Sequence, residues 1–276
     1  MSEVVSPESA FCDAARAYLL SFSERGVDPQ VLARYLEPGD ALRARDIHGV
    51  YRKLLCSCQN ANMKTTVVSG SMTGGLAALS PVLFGFDPRS VVERYGDDSE
   101  AVLDDIVAKV KPRGQVRRTR RSIWPQYCRS IVSGAKFLAQ FRDAEEFYAW
   151  ADKFDLDDQT RPELPLTISK DVEGLGFALA CDFVKELGYS DFAKPDVHIK
   201  KILVGLRLIP ESASDYAVFT ALTSFARSAG LSPYHVDKLM WLVGSGWFYW
   251  HPEIGTVPTR RDEFVASMRS IFDAPA

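Results

Sequence analysis

A mainly α fold is what the sequence predicts, and two observations predict it. Apolar residues recur at helical spacing in one segment after another. Few stretches show the period-two alternation that a half-buried strand requires. No internal repeat is visible. With 276 residues, 46% hydrophobic and 25% charged, the chain is long enough for one large lobe or two small ones.

The elements follow in order. Ser6-Pro7 starts an amphipathic helix over 7–23, and 29–35 forms a short one. Residues 51–58 begin another, with Leu54, Leu55 and Cys58 at helical spacing. The stretch 69–75, rich in Gly and Ser, is a loop or a helix break, and 81–88 is turn-rich. Segments 90–95 and 100–110 are helical by pattern, as are 123–141 and 144–154. Residues 155–165 are polar, carry two prolines and read as a connector. After the central stretch 170–202 come helices over 215–229, 233–243 and 261–272.

Composition excludes several classes. No run reaches the roughly 18 apolar residues of a membrane span, and the N-terminus lacks the basic region of a signal peptide. The five cysteines, Cys12, Cys56, Cys58, Cys128 and Cys181, are scattered and odd in number, which argues against a disulfide framework. Cys56 and Cys58 are too close for the usual zinc pair, and no second pair follows. A reducing, cytoplasmic setting is expected. The net charge of −3 argues against indiscriminate nucleic-acid binding, but the run 109–121, KVKPRGQVRRTRR, is densely basic. Acidic residues gather elsewhere, at 97–105 and 155–158, so a polarised surface is expected.

The chemistry concentrates in 170–202, KDVEGLGFALACDFVKELGYSDFAKPDVHIKKI. Gly174 and Gly176 allow a close backbone approach to an anion, at the start of an apolar helix whose first N–H groups favour negative charge. Gly188 stops that helix. Asp196 follows a proline and opens a second, basic helix, where a bland reading makes it an N-cap. This combination resembles the helix-hairpin-helix glycosylases of base excision, whose signature is a Gly-hydrophobic-Gly hairpin, here Gly174-Leu175-Gly176, followed by a catalytic Asp. The segment Pro195-Asp196-Val197-His198-Ile199 is similar to that family's Asp-x-His segment, and the resemblance is strong over 169–206.

The resemblance implies a two-lobe helical glycosylase fold with a cleft between the lobes. The expected division is 1–48, 49–206 and 207–276, the first and last segments completing one lobe. It implies that Asp196 is catalytic, stabilising an oxocarbenium-like transition state or aiding an attacking water. Where many relatives place a Schiff-base lysine, this chain has Ala178, so a monofunctional, hydrolytic enzyme without lyase activity is implied. Lys185 is a poor substitute and is expected to be solvated. Asp182, a turn beyond Ala178, either touches the flipped base or forms a surface pair with Lys185.

Other residues take roles from the same resemblance. Ser57-Cys58-Gln59 matches a segment whose glutamine fills the gap left by an extruded base, the favoured reading for Gln59, with Asn60 and Asn62 alternatively simple helix-end polar residues. Leu175, His198, Lys200 and Lys201 join the hairpin glycines as DNA contacts, the last three being also plausible as solvated residues at a helix start. Trp124 or Tyr127 could stack on the extruded base, though core packing suits either. The cluster Trp247-Phe248-Tyr249-Trp250 could line a pocket or fill a core. Family members often carry an iron–sulfur cluster through late cysteines, but none follows Cys181. No cofactor is therefore expected, apart from a monovalent cation at the hairpin. The implied partner is duplex DNA with one extruded nucleotide, bound by a monomer. The implied substrate is an oxidised purine, or an enlarged or glycosylated pyrimidine of viral DNA, in repair or in antiviral defence. The competing reading is a non-catalytic helix-hairpin-helix DNA-binding module.

Overall fold

The computed structural model describes residues 6–37, 43–60 and 66–273. Among them, fourteen α-helices and one two-stranded ribbon make up nearly all the regular structure, so the mainly α expectation holds. The chain divides into two compact units, Arg43–Leu187 and a discontinuous unit of Met1–Leu42 with Gly188–Ala276. The division falls at 187, not at the expected 206, so Asp196 belongs with the terminal segments. Asn62 lies outside the described residues.

Helices α1 (Pro7–Leu20) and α2 (Pro29–Leu36) open the discontinuous unit. Each is started by an oxygen-bearing cap followed by proline. Ser6 Oγ accepts from the Ser9 N–H at 3.1 Å, and Asp28 Oδ1 from the Val31 N–H at 2.8 Å.

The continuous unit holds α3 (Ile47–Cys58), α4 (Thr66–Gly70), α5 (Pro88–Tyr95), α6 (Ser99–Asp105), α7 (Ile123–Leu138), α8 (Ala144–Ala151), α9 (Glu163–Asp171) and α10 (Phe177–Glu186). Helix α7 is its centre, with α3, α5, α6 and α9 packed on it. Gly134 permits the approach of α3, because a Cβ there would lie 2.6 Å from Leu54 Cδ2. The helix expected over 100–110 is α only to Asp105. It continues as a π turn, Ile106–Val110, and ends at Lys111 (φ 54°) before Pro112. The connector expected to reach 165 is shorter, because α9 begins at Glu163. Pro165 sits in its first turn, where an N–H would have no helical acceptor. Its acidic stretch is organised around buried Arg161, which pairs with Asp155 at 2.6 Å and with Asp158.

The discontinuous unit resumes with α11 (Val197–Gly205), α12 (Asp215–Ser228), α13 (Pro233–Ser245), β1 (Trp247–Phe248), β2 (Gly255–Thr256) and α14 (Arg261–Met268). Helix α13 is its centre, touching α1, α2, α11 and α12 around a core that includes Phe11, Leu203, Val236 and Met240. Among the described residues, no helix is long and apolar enough to cross a membrane.

Candidate active site

The hairpin lies within the continuous unit, between α9 and α10. Val172 and Leu175 are buried, and the Leu175 N–H donates to the Val172 carbonyl at 3.2 Å, closing a tight turn. That leaves Glu173, Gly174 and Gly176 outside. Leu175, expected at the DNA, is thus the residue that anchors the hairpin in the core. Gly174 has φ +83°, and a Cβ on it would lie 2.8 Å from Ser130 Oγ. Gly176 is different, with an ordinary φ of −67° and open space within 4 Å of where a Cβ would stand. It precedes α10, which no side chain caps, and both hairpin glycines are exposed at that helix start.

Helix α7 holds this turn from behind. Ser130 Oγ donates to the Glu173 carbonyl at 2.7 Å, and Ser133 Oγ accepts the Glu173 N–H at 2.9 Å. Arg129 Nε donates to Glu173 Oε1 at 2.5 Å, while its Nη2 donates to the Arg120 carbonyl at 3.2 Å. The hairpin and the basic run are therefore tied through one side chain. None of these three α7 residues stood out in the sequence; the signal is a Ser-x-x-Ser pair facing the glycine turn.

In the discontinuous unit, Asp196 is the N-cap of α11. Its Oδ1 accepts the N–H groups of His198 (2.8 Å) and Ile199 (3.1 Å). Among the described residues, Oδ2 makes no hydrogen bond, so one oxygen serves the helix while the other stays available. Burial and the neighbouring Asp237 carboxylate push its pKa above the ordinary 3.8, against the Ile199 N–H, Lys194 and His198. Such a carboxylate is a stronger base than a solvated one.

The remaining expected residues divide by placement. Ala178 is half-buried in the first turn of α10. Asp182 and Lys185 pair at 3.3 Å, but the pair is buried, which corrects the expectation that Lys185 is solvated: its position falls on the inward face of α10. Lys200 also departs from its expected role, since its Nζ donates to the Ala213 carbonyl at 2.6 Å and is held by the protein. Lys201 is exposed and unpaired among the described residues. His198 packs its ring against α13 at Gly244, where a Cβ would lie 2.7 Å from His198 Cβ, and its Nδ1 is buried without a partner among the described residues. Gln59 caps the C-terminal end of α3 with its side chain turned inward, and its Oε1 is buried and unpaired among the described residues.

The aromatic candidates are mostly core. Tyr127 is buried and donates its hydroxyl to the Leu55 carbonyl at 3.3 Å, and Trp124 packs beside it. The late cluster gathers on Tyr35, which stacks on Trp250 at 4.8 Å and accepts the Trp250 N–H at 2.7 Å. Buried Lys238 donates to the Tyr249 hydroxyl at 3.0 Å and lies over the rings of Tyr234, Tyr249 and Trp250. Asp237, also buried, accepts the Lys194 N–H at 2.6 Å. These two charges were passed over in the sequence, although charged residues among Val236, Leu239 and Met240 on one helix mark a special position.

The sequence matches no protein-family model and no curated protein. In structure the chain is similar to Methanocaldococcus jannaschii 8-oxoguanine glycosylase/lyase, solved in complex with a 15mer DNA containing 8-oxoguanine. The match has a TM-score of 0.52 at 14% identity and covers 83% of this chain and 95% of that one. At that identity the likeness shows the fold: a helical glycosylase fold.

Proposed function

We propose that the protein is a DNA glycosylase that hydrolyses the bond between a modified or mismatched base and its sugar, leaving an abasic site. The observation that carries the reading is Asp196, a carboxylate with one oxygen fixed by helix amides and the other unengaged, in a chain of glycosylase fold. As the sugar gains positive charge, a fixed anion stabilises the transition state, or its free oxygen takes a proton from the attacking water. The hairpin and the exposed arginines 117, 120 and 121 grip DNA phosphates around a target nucleotide drawn out of the stack.

Hydrolysis without lyase activity is favoured by Ala178, which offers no amine where a Schiff base would form, and by Lys185, whose amine is paired with Asp182. The substrate class is an oxidised purine or an enlarged pyrimidine. A non-catalytic phosphate grip is the competing reading, but it has no use for a carboxylate with a raised pKa and a free oxygen. The test is incubation with duplexes bearing a panel of modified bases, then alkali to reveal abasic sites. Strand breaks only after alkali, with no adduct trapped by borohydride, are expected. Breaks without alkali, or a trapped adduct, overturn the hydrolytic reading, and no release from any duplex overturns the enzyme.

A further inference from the structure

The turn that presents Asp196 is anchored by a carboxylate that the proposed chemistry does not use. Asp237, on α13, is 2% exposed. Its Oδ2 accepts the Lys194 N–H at 2.6 Å, the Lys194 carbonyl accepts the Asp196 N–H at 2.8 Å, and Asp196 caps α11. Hydrogen bonds thus run from α13 through the turn to the backbone of Asp196.

We infer that Asp237 is a positioning residue for Asp196, fixing the Lys194-Pro195-Asp196 turn and acting on it as a second negative charge. The inference rests on the reading of Asp196 as the carboxylate of a glycosylase. An asparagine side chain would accept the same Lys194 hydrogen bond through its amide oxygen. What asparagine lacks is the charge itself. That charge adds to burial in disfavouring ionised Asp196, and it is opposed by Lys194 from the turn and His198 from α11. A carboxylate that holds its proton more tightly is the stronger base once ionised. Asp196 acts as the anion, so base release should fall as pH drops through its raised range, and Asp237 should set where that fall occurs.

The test compares the parent with Asp237→Asn and Asp237→Ala. One readout is the carbon-13 carboxyl NMR titration of Asp196, which needs no enzymatic activity. The other is the single-turnover rate of base release against pH on a duplex that the parent processes. Asparagine keeps the acceptor and removes the charge. Asp196 should then titrate at lower pH, the acid limb of the rate profile should move the same way, and the plateau should stay within a few-fold of the parent. Alanine releases the turn and should lower the plateau by about 100-fold, with duplex affinity within a few-fold. A purely structural Asp237 would leave the titration unmoved in Asp237→Asn, and that result overturns the inference. So does a parental plateau in Asp237→Ala. If Asp237→Ala does not fold, the Asp196 titration in Asp237→Asn decides. If the parent releases no base from any duplex, the glycosylase reading falls, and the titration still decides the role of Asp237.

Discussion

Asp196 holds two roles in one side chain, and they pull in opposite directions. As a cap it stabilises α11, but its raised pKa means that the folded state carries its ionised form at a disadvantage. The folded protein binds the proton more tightly than the unfolded chain, so this handicap is absent below the ordinary value of 3.8. It grows as pH rises from that value through the raised one and stays constant above. Asp196→Asn keeps an oxygen for the two amides and removes the charge. It should abolish base release, leave duplex affinity within a few-fold, and raise the melting temperature at neutral pH but not in acid. Thermal unfolding at the two pH values checks it, and a lower neutral-pH melting temperature would contradict the burial argument. The two hairpin glycines give a second contrast. Gly174→Ala should destabilise by roughly 1–2 kcal/mol, the cost of a left-handed residue, before the clash with Ser130 Oγ is added. Gly176→Val should cost about 1 kcal/mol or less, as an N-cap change, yet weaken DNA binding because its side chain stands where a phosphate would approach.

At the scale of elements, the hairpin is not self-supporting. Its outward shape depends on α7, whose Ser130 and Ser133 take the carbonyl and the N–H of Glu173. Ser130→Ala and Ser133→Ala should each cost about 1 kcal/mol. Both should speed amide exchange at 173–176 more than elsewhere in α9 or α10, as measured by hydrogen exchange. Uniform exchange across the unit would place the hairpin's order elsewhere. Helix starts, by contrast, are local affairs. Ser6-Pro7, Asp28-Pro29, Asp87-Pro88 and Ser232-Pro233 each open a helix with a cap and a proline, and each is readable in the bare sequence.

For the whole molecule, 33 basic against 36 acidic residues leave no general attraction to a polyanion. Binding has to come from local charge. In the run 109–121, Arg118 is engaged by Asp104 at 2.6 Å, whereas Arg117, Arg120 and Arg121 are exposed and have no carboxylate partner among the described residues. Replacing those three by alanine should flatten the dependence of log affinity on log salt, by about 0.9 for each duplex phosphate that is no longer neutralised. Lys201→Ala should flatten it too. Lys200→Ala should leave the slope unchanged and instead cost about 1 kcal/mol of stability through the missing bond to Ala213. Titrations at several salt concentrations separate these outcomes, and a flattened slope for Lys200→Ala would show that its ammonium leaves Ala213 for DNA.

The sequence by itself determined what depends on near neighbours. The helical class follows from apolar spacing, the hairpin from Gly174 and Gly176 between apolar residues, and the place of Asp196 from the proline before it and the helix after it. It also pointed to the basic run, because the charges are consecutive. The tertiary structure alone decided which charges are free. Lys185 and Lys200 read as solvated or DNA-facing residues, yet one is buried on Asp182 and the other bonded to a carbonyl thirteen residues on. Asp237 acts on a turn whose Lys194 stands 43 residues earlier. The reason is range. Helix period and capping are settled within about four residues along the chain, whereas desolvation and charge pairing depend on whichever distant segment the fold packs alongside.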